Sequence, residues 1–181
     1  PLPEAQVDRF MMKVLVGYPS EEEEFVIVQR VTGAAAAVSS VASTHQLLAL
    51  QRECRGGYVD SSLVQYAVKL VAITREPARH GLAELAPHIS YGASPRASIN
   101  LIEGARALGF LRGRAYVLPQ DVIDIAPDVL RHRLVLSYEA LAEGKTADDI
   151  VRRVMQHLPA PPKPLQNHVR LDAHADTAVQ A

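Results

Sequence analysis

Short apolar runs and helical spacings of apolar residues divide the chain into a series of predicted elements. Residues 10–18 read FMMKVLVGY, a short apolar run that Pro19 ends, and this pattern predicts a buried β-strand. A single strand leaves its main-chain hydrogen-bonding groups unpaired. We therefore expect its partner strands to lie upstream of residue 1.

Cap residues and apolar spacings of three and four predict helices over most of the remaining chain. Serine, threonine or aspartate N-caps and glycines after the last turn mark the helix ends. The predicted helices cover residues 20–33, 44–55, 61–76, 94–113, 119–126, 127–133 and 146–158. The spacing in the fourth of them predicts an inward face made of Ile99, Ile102, Ala105, Leu108 and Leu111. Residues 134–142 fit either a strand or a helix.

Composition and charge narrow the possible classes of protein. The chain has 181 residues, of which 48% are apolar, so it can bury a core of its own. A formal net charge of −1 gives no field that favours nucleic acid or an anionic membrane. The single cysteine, Cys54, excludes an intrachain disulfide and is typical of a reducing compartment. No apolar run approaches the ~20 residues that span a bilayer. We therefore expect a cytoplasmic protein with no nucleic-acid partner and no membrane span.

The chain contains no motif for independent catalysis or metal binding. Gly144-Lys145-Thr146 looks like the end of a phosphate-binding loop, but Glu139 stands where that motif requires a glycine. A turn glycine, an exposed lysine and a helix-capping threonine explain the same residues. None of the seven histidines pairs with another at helical spacing beside a glutamate, so no metal site is predicted.

Two arginines stand at positions that call for an anionic partner. Arg96 lies in the first turn of a predicted helix, where a cation opposes the helix dipole by about 0.3–1 kcal/mol. The anionic partner of Arg96 is then either an ordinary carboxylate elsewhere in the chain or, if Arg96 has a functional role, a phosphate. Arg9 lies at the mouth of the predicted strand, and its ordinary partner is Asp8 or Glu4.

Three separated segments carry a resemblance to a known family. They read LPEAQVDRF at residues 2–10, GASPRA at 92–97 and RGRAYVLPQDV at 112–122. In this order and spacing they resemble the MoxR family of AAA+ ATPases, and the match extends from residue 1 to about residue 158. The resemblance implies a mainly α fold, an AAA+ lid helical bundle with a short N-terminal strand left from the α/β P-loop core.

The resemblance also implies a division of the chain and roles for both arginines. Residues 1–19 correspond to the end of the ATPase core, 20–158 to the helical lid domain, and 159–181 to a flexible tail. Arg9 resembles the arginine finger, which acts on ATP bound to the neighbouring subunit. Arg96 resembles the sensor-2 arginine, which contacts the γ-phosphate of ATP bound to its own subunit.

The family implies a ring, with a hexamer expected, together with ATP and Mg²⁺ as ligands. It further implies chaperone-like action on partner proteins, typically ones with a von Willebrand factor A domain. The Walker A and Walker B motifs are absent from this sequence, so we expect ATP hydrolysis only from a longer protein that contains them.

Two other interpretations stay open at the level of sequence. The first is a helical interaction module that never binds nucleotide, in which Arg96 pairs with a carboxylate and is dispensable. The second is an AAA+ subunit of the magnesium-chelatase type, with the same lid chemistry but another client. A small helical DNA-binding domain is a weaker third, because the charge is near neutral and no helix is strongly basic.

Overall fold

The computed structural model describes residues 3–34 and 37–162, and most of these residues are helical. Within them lie eight α-helices: α1 (Glu4–Val7), α2 (Glu21–Thr32), α3 (Thr44–Arg55), α4 (Ser61–Arg75), α5 (Pro95–Leu111), α6 (Pro119–Leu130), α7 (Tyr138–Ala142) and α8 (Ala147–His157). Two 3₁₀ segments, Pro77–His80 and Ala83–His88, lead into strand β1 (Ile89–Tyr91), which pairs antiparallel with β2 (Val135–Leu136). The mainly α fold class is confirmed.

Side-chain caps begin the helices where the sequence predicts them. Ser20 accepts a hydrogen bond from the Glu23 N–H, and the Glu23 side chain accepts one from the Ser20 N–H. The same reciprocal arrangement begins α3 at Ser43 and α8 at Thr146. Each cap satisfies main-chain donors that a helix leaves unpaired in its first turn.

One hydrophobic core lies between α4, α5, α6 and α8. Its largest fully buried side chains are Leu63, Leu70, Val71, Ile73, Leu82, Leu101, Val122, Val129, Leu130, Ile150, Val151 and Val154. Burial of one such side chain stabilises the fold by about 1.5–3 kcal/mol. This core fixes the ends of α5 and α6, and the candidate site is built on those ends.

The face that α5 buries agrees with the predicted one only in part, since Ala105 is buried and Ile102 packs against the core. Ile99 and Leu111 are exposed, and the buried residues of the helix are Ala97, Leu101, Gly104, Ala105 and Gly109. Close contact with α6 explains the difference, because a Cβ atom at Gly104 would lie only 2.9 Å from Cγ1 of Ile125. Small residues therefore form most of the buried face, and the prediction is wrong for Ile99 and Leu111.

The region from residue 119 to residue 142 also departs from the prediction. The two helices predicted over 119–126 and 127–133 are one helix, α6, with Pro127 inside it. A proline removes one helical N–H, but the burial of Val129 and Leu130 keeps the following turn in place. The ambiguous residues 134–142 divide into strand β2 and helix α7.

The strand predicted over residues 10–18 is not formed. These residues have no regular secondary structure, and Phe10 and Val16 have exposed fractions of 58% and 91%. The physical reason is that no described residue offers a partner strand for this segment. Helices α2 and α3 likewise bury no residue within the described chain. The tail predicted over 159–181 lies outside the described residues from residue 163 onward.

Candidate functional site

Arg96 lies at the start of α5, on the surface of the core. Ser94 is the N-cap of this helix and accepts a hydrogen bond from the Arg96 N–H, and Pro95 fixes the first helical residue. The guanidinium Nη1 donates to Oδ2 of Asp8 at 3.1 Å, and 47% of the Arg96 side chain is exposed. Among the described residues the anionic partner of Arg96 is therefore a carboxylate.

Asp8 joins three side chains that are remote from it in the chain. The Ser94 hydroxyl donates to both of its carboxylate oxygens, at 3.1 and 3.0 Å. Arg96 donates to one oxygen, and Nε of Arg133 donates to the other at 3.2 Å. Asp8 therefore links the N-terminal segment to the start of α5 and to the residues that follow α6.

Arg9 follows Asp8 directly, but its side chain is placed differently. Arg9 is exposed, and among residues 3–34 and 37–162 its guanidinium has no hydrogen-bond or ion-pair partner. The pair with Asp8 that the sequence allows is not formed, since Asp8 is occupied by Arg96 and Arg133. Of the two arginines singled out from sequence, Arg96 binds the Asp8 carboxylate and Arg9 follows Asp8 in the chain without binding it.

Sequence reasoning missed the residues that hold this segment in place. We call Arg131, His132 and Arg133 the segment clamp, because all of them bind main-chain oxygens of residues 8–13. Arg131 donates to the Lys13 carbonyl at 2.8 Å, and Nε2 of His132 donates to the Phe10 carbonyl at 3.1 Å.

The sequence carries only a weak signal for the segment clamp. Its residues follow the C-terminal end of α6, and basic side chains near a helix C-terminus are favourable without any remote partner. Nothing in their local pattern therefore points to residues 8–13.

Arg133 makes the largest number of these bonds, although its side chain is completely buried. It donates to the carbonyls of Asp8 at 3.1 Å and Met11 at 3.2 Å, and also to those of Phe10 and Val129. Burial lowers the pKa of Arg133, and attraction to Asp8 opposes this effect. A guanidinium stays charged in proteins, so the carbonyls and the carboxylate stabilise a buried cation.

His132 is neutral in this arrangement. Burial lowers the pKa of the His132 imidazole, and its bond to the Phe10 carbonyl opposes the shift only in part. A carbonyl oxygen only accepts, so the proton lies on Nε2, while Nδ1 is buried and has no partner among the described residues. His132 therefore contributes a neutral hydrogen bond beside the charged ones.

The third motif, at 112–122, forms a separate network, which we call the Asp121 cluster (Arg112, Arg114, Asp121 and Asp124). Arg114 binds both carboxylate oxygens of the fully buried Asp121, at 2.8 and 2.7 Å. Arg112 bridges Asp121 at 2.8 Å and Asp124 at 2.6 Å. Burial alone would raise the pKa of the Asp121 carboxyl, but hydrogen bonds from Arg114, the Leu118 N–H and Arg112 hold it below its ordinary value.

Comparison with known proteins places these motifs in a family. Residues 83–154 match the family model of the AAA lid domain. The chain is 47% identical over 161 residues to Chaperone MoxR1 of Mycobacterium tuberculosis, which covers 89% of this chain and 43% of that protein. It is 32% identical over 157 residues to Protein MoxR of Paracoccus denitrificans, with 79% of this chain and 46% of that protein covered.

A solved structure agrees with these relatives. The crystal structure of a putative ATPase from Cytophaga hutchinsonii superposes with a TM-score of 0.86 at 40% identity, over 90% of this chain and 50% of that one. The chain belongs to the MoxR family of AAA ATPases. It spans about half the length of these relatives, between 43% and 50%, and corresponds to their C-terminal region with the AAA lid domain.

Membership of the MoxR family bears on one of the earlier alternatives. The relatives found favour the MoxR interpretation over a magnesium-chelatase subunit. The Gly144-Lys145-Thr146 motif is structural: Gly144 is in the left-handed conformation at φ +70°, Lys145 pairs with Glu143, and Thr146 caps α8. No helix of the described residues is long and apolar enough to cross a membrane.

One further group of side chains has the composition of a cation site. Ligand atoms of His88, Glu139 and Glu143 lie within 4.8 Å of one another. Nε2 of His88 is 3.1 Å from a Glu143 oxygen, and Nζ of Lys145 is 3.1 Å from the same oxygen. Both glutamates are exposed, and the lysine already balances the charge of Glu143. Ordinary ion pairing therefore accounts for this group.

Proposed function

We propose that this chain forms the lid-bearing part of a MoxR-type AAA ATPase that couples ATP hydrolysis to chaperone-like remodelling or assembly of partner proteins. Arg96 is the sensor-2 arginine of its own subunit, and Arg9 is the arginine finger for the neighbouring subunit. The observation that carries this proposal is the junction at Asp8. One carboxylate holds Arg96, and the next residue is an exposed arginine with no partner in the described chain.

The position of Arg96 suits a phosphate that arrives with nucleotide. The side chain is about half exposed and has one ion pair, with Asp8. A helix N-terminus favours phosphate, because its free N–H groups and its dipole both attract negative charge. A γ-phosphate carries more charge than a carboxylate and can therefore replace Asp8 as the partner of Arg96.

The position of Arg9 suits an action between subunits. An arginine finger stabilises charge that develops during phosphoryl transfer, and it must reach beyond its own chain to do so. Since Arg9 and Arg96 then serve two different ATP molecules, the arrangement works only in a ring, for which we propose a hexamer. We propose ATP and Mg²⁺ as ligands of a longer protein that contains a Walker A motif. This sequence holds no such motif and is not expected to bind them alone.

The proposed action on partner proteins is based on the family resemblance and on the name Chaperone MoxR1 of the mycobacterial relative. We propose proteins with a von Willebrand factor A domain as partners, and the cytoplasm as the compartment. Nucleic acid is not among the proposed partners, because the net charge is only −1.

Steady-state ATP hydrolysis by the full-length protein tests both arginines. We expect Arg9→Ala to lower kcat by about 10³–10⁵-fold, the usual worth of an arginine finger. Arg96→Ala should also lose most of its turnover. Arg79→Ala is the matched control, because Arg79 is exposed and its only ion-pair partner within residues 3–34 and 37–162 is Glu76, one turn away.

Mixed rings separate action on the neighbouring subunit from action within one subunit. An Arg9→Ala subunit keeps its own Arg96, and an Arg96→Ala subunit keeps its own Arg9. Mixing the two inactive variants should restore part of the activity, at interfaces where an intact Arg9 meets an intact ATP site. If both single variants hydrolyse ATP like the wild type, the roles proposed for Arg9 and Arg96 are wrong, and both are ordinary structural or surface residues.

A further inference from the structure

The segment that carries Arg9 is held mainly by polar contacts. Phe10 and Val14 have exposed fractions of 58% and 60%, so apolar burial contributes little to its placement. An open hollow of about 500 Å³ beside it, between α1 and the two-stranded sheet of β1 and β2, indicates incomplete packing there. Hydrogen bonds from the segment clamp to main-chain oxygens therefore hold residues 8–13 on the lid.

Arg133 binds the main chain on both sides of Arg9. One of its nitrogens, Nη2, donates to the carbonyls of Asp8 and Phe10, the residues immediately before and after Arg9. Nη1 donates to the Met11 carbonyl at 3.2 Å, and Nε binds the Asp8 carboxylate. The fork of one guanidinium thus fixes the backbone around Arg9 and leaves the Arg9 side chain exposed.

We infer that Arg133 is a positioning residue that sets the arginine finger relative to the lid. It holds Asp8, which binds Arg96, and it also holds the peptide groups that flank Arg9. Because Arg133 itself belongs to the lid, a movement of the lid displaces the backbone of Arg9 through these bonds. This inference rests on the proposed function, because the position of Arg9 matters to hydrolysis only if Arg9 is the finger.

The chemistry of arginine is essential to this role. A lysine keeps the positive charge that Asp8 requires, but it offers one compact ammonium in place of a planar fork. Its three N–H donors cannot replace all five bonds that Arg133 makes, to the Asp8 carboxylate and to four main-chain carbonyls. Arg133→Lys should therefore loosen the segment while it preserves the charge of the site.

The first test measures ATP hydrolysis by full-length Arg133→Lys. Because a misplacement of about 1 Å can cost about 10² in rate, we expect kcat to fall by about that factor. KM should stay unchanged, since the finger acts on the transition state of the neighbouring site. Arg79→Lys is the matched control, as Arg79 bonds only within its own turn. An unchanged kcat in Arg133→Lys would overturn the inference.

A double variant distinguishes positioning from general structural damage. If Arg133 acts through Arg9, then Arg9→Ala/Arg133→Lys is no slower than Arg9→Ala alone. If the losses multiply, Arg133 supports the fold or another part of the site, and the inference is wrong. A wild-type rate in Arg9→Ala would instead refute the proposed function, so the two failures are distinguishable.

Hydrogen exchange gives a readout that does not depend on hydrolysis. Arg133→Lys should speed exchange in peptides that cover residues 8–13, where the Lys13 N–H donates to the Asp128 carbonyl. Peptides from the α4 core should keep their protection.

If Arg133→Lys does not fold, the same exchange experiment is done on His132→Ala. This change removes a single bond to Phe10 from a residue that is only partly buried. Unchanged exchange at residues 8–13 in the folded variant would contradict the inference.

Discussion

The lid contains two networks of arginine and aspartate side chains. They differ in how far apart the bonded residues lie in the sequence. The Asp121 cluster lies between residues 112 and 124, and its longest side-chain bond joins residues twelve apart. The second network, which we call the Asp8 junction, consists of Asp8, Ser94, Arg96 and Arg133. Its longest side-chain bond, from Arg133 to Asp8, joins residues 125 apart. Both networks place an arginine against a carboxylate, but only the first forms within one helix–turn–helix.

Because of this difference, the Asp121 cluster mainly stabilises the fold, whereas the Asp8 junction mainly couples the N-terminal segment to the lid. The Asp121 cluster holds the turn between α5 and α6, where both helices are already fixed by the core. The Asp8 junction holds a segment that contributes little to the core, so its bonds mainly determine where residues 8–13 lie. We therefore expect changes in the first network to lower global stability, and changes in the second to act on the segment and on turnover.

The largest effect that separates the networks is expected from Asp121→Asn. Removal of one partner from a buried ion pair costs about 3–5 kcal/mol, because the remaining charge loses its compensation. Urea unfolding should reveal this loss, with Asp124→Asn as the control, since Asp124 is about one-third exposed. Hydrogen exchange at residues 8–13 should not change. If Asp121→Asn lowers the free energy of unfolding by less than about 1 kcal/mol, the Asp121 cluster does not stabilise the fold more than the Asp8 junction does.

Acid should act on the Asp121 cluster in a defined direction. The pKa of Asp121 is lowered in the fold, so its stabilisation is present above the unfolded value and is lost as pH falls through the folded value. With the ordinary value near 3.8, the loss falls below about pH 4 and amounts to about 1.4 kcal/mol per pH unit for one proton. Asp121→Asn should flatten this dependence in unfolding experiments from pH 5 to pH 2. An identical pH profile in the variant would assign the acid sensitivity elsewhere.

The smallest effect compares two helix caps. Ser94→Ala and Thr146→Ala each remove an N-cap hydrogen bond and should cost about 1 kcal/mol of global stability. Only Ser94 also binds Asp8, so only Ser94→Ala should speed hydrogen exchange at residues 8–13. Equal protection of that segment in both variants would mean that Ser94 is merely a cap and does not belong to the Asp8 junction.

Prediction from sequence succeeded where the controlling interactions are local. The caps at Ser20, Ser43 and Thr146 operate within four residues, so each helix start follows from its own few side chains. The inward face of α5 could not be predicted in this way. It depends on how closely α6 approaches Gly104, which is a property of the packed pair and not of one helix.

The candidate site shows the same division. Arg96 and Arg9 were found because family motifs contain them, and Arg96 also opposes its own helix dipole. Their connection through Asp8 was not predicted, and neither was the role of Arg133. A buried guanidinium that binds main-chain carbonyls has no sequence pattern of its own, because any residue supplies a carbonyl.

The sequence by itself determined the helix starts, the mainly α class and the family, because caps, apolar spacing and motifs all act over short stretches of chain. Only the tertiary structure decided which face of α5 is buried, that residues 10–18 form no strand within the described chain, and that Asp8 meets Arg96 and Arg133. The last of these features depends on contacts between residues about a hundred positions apart. Such contacts form only when the core has brought α5 and α6 together.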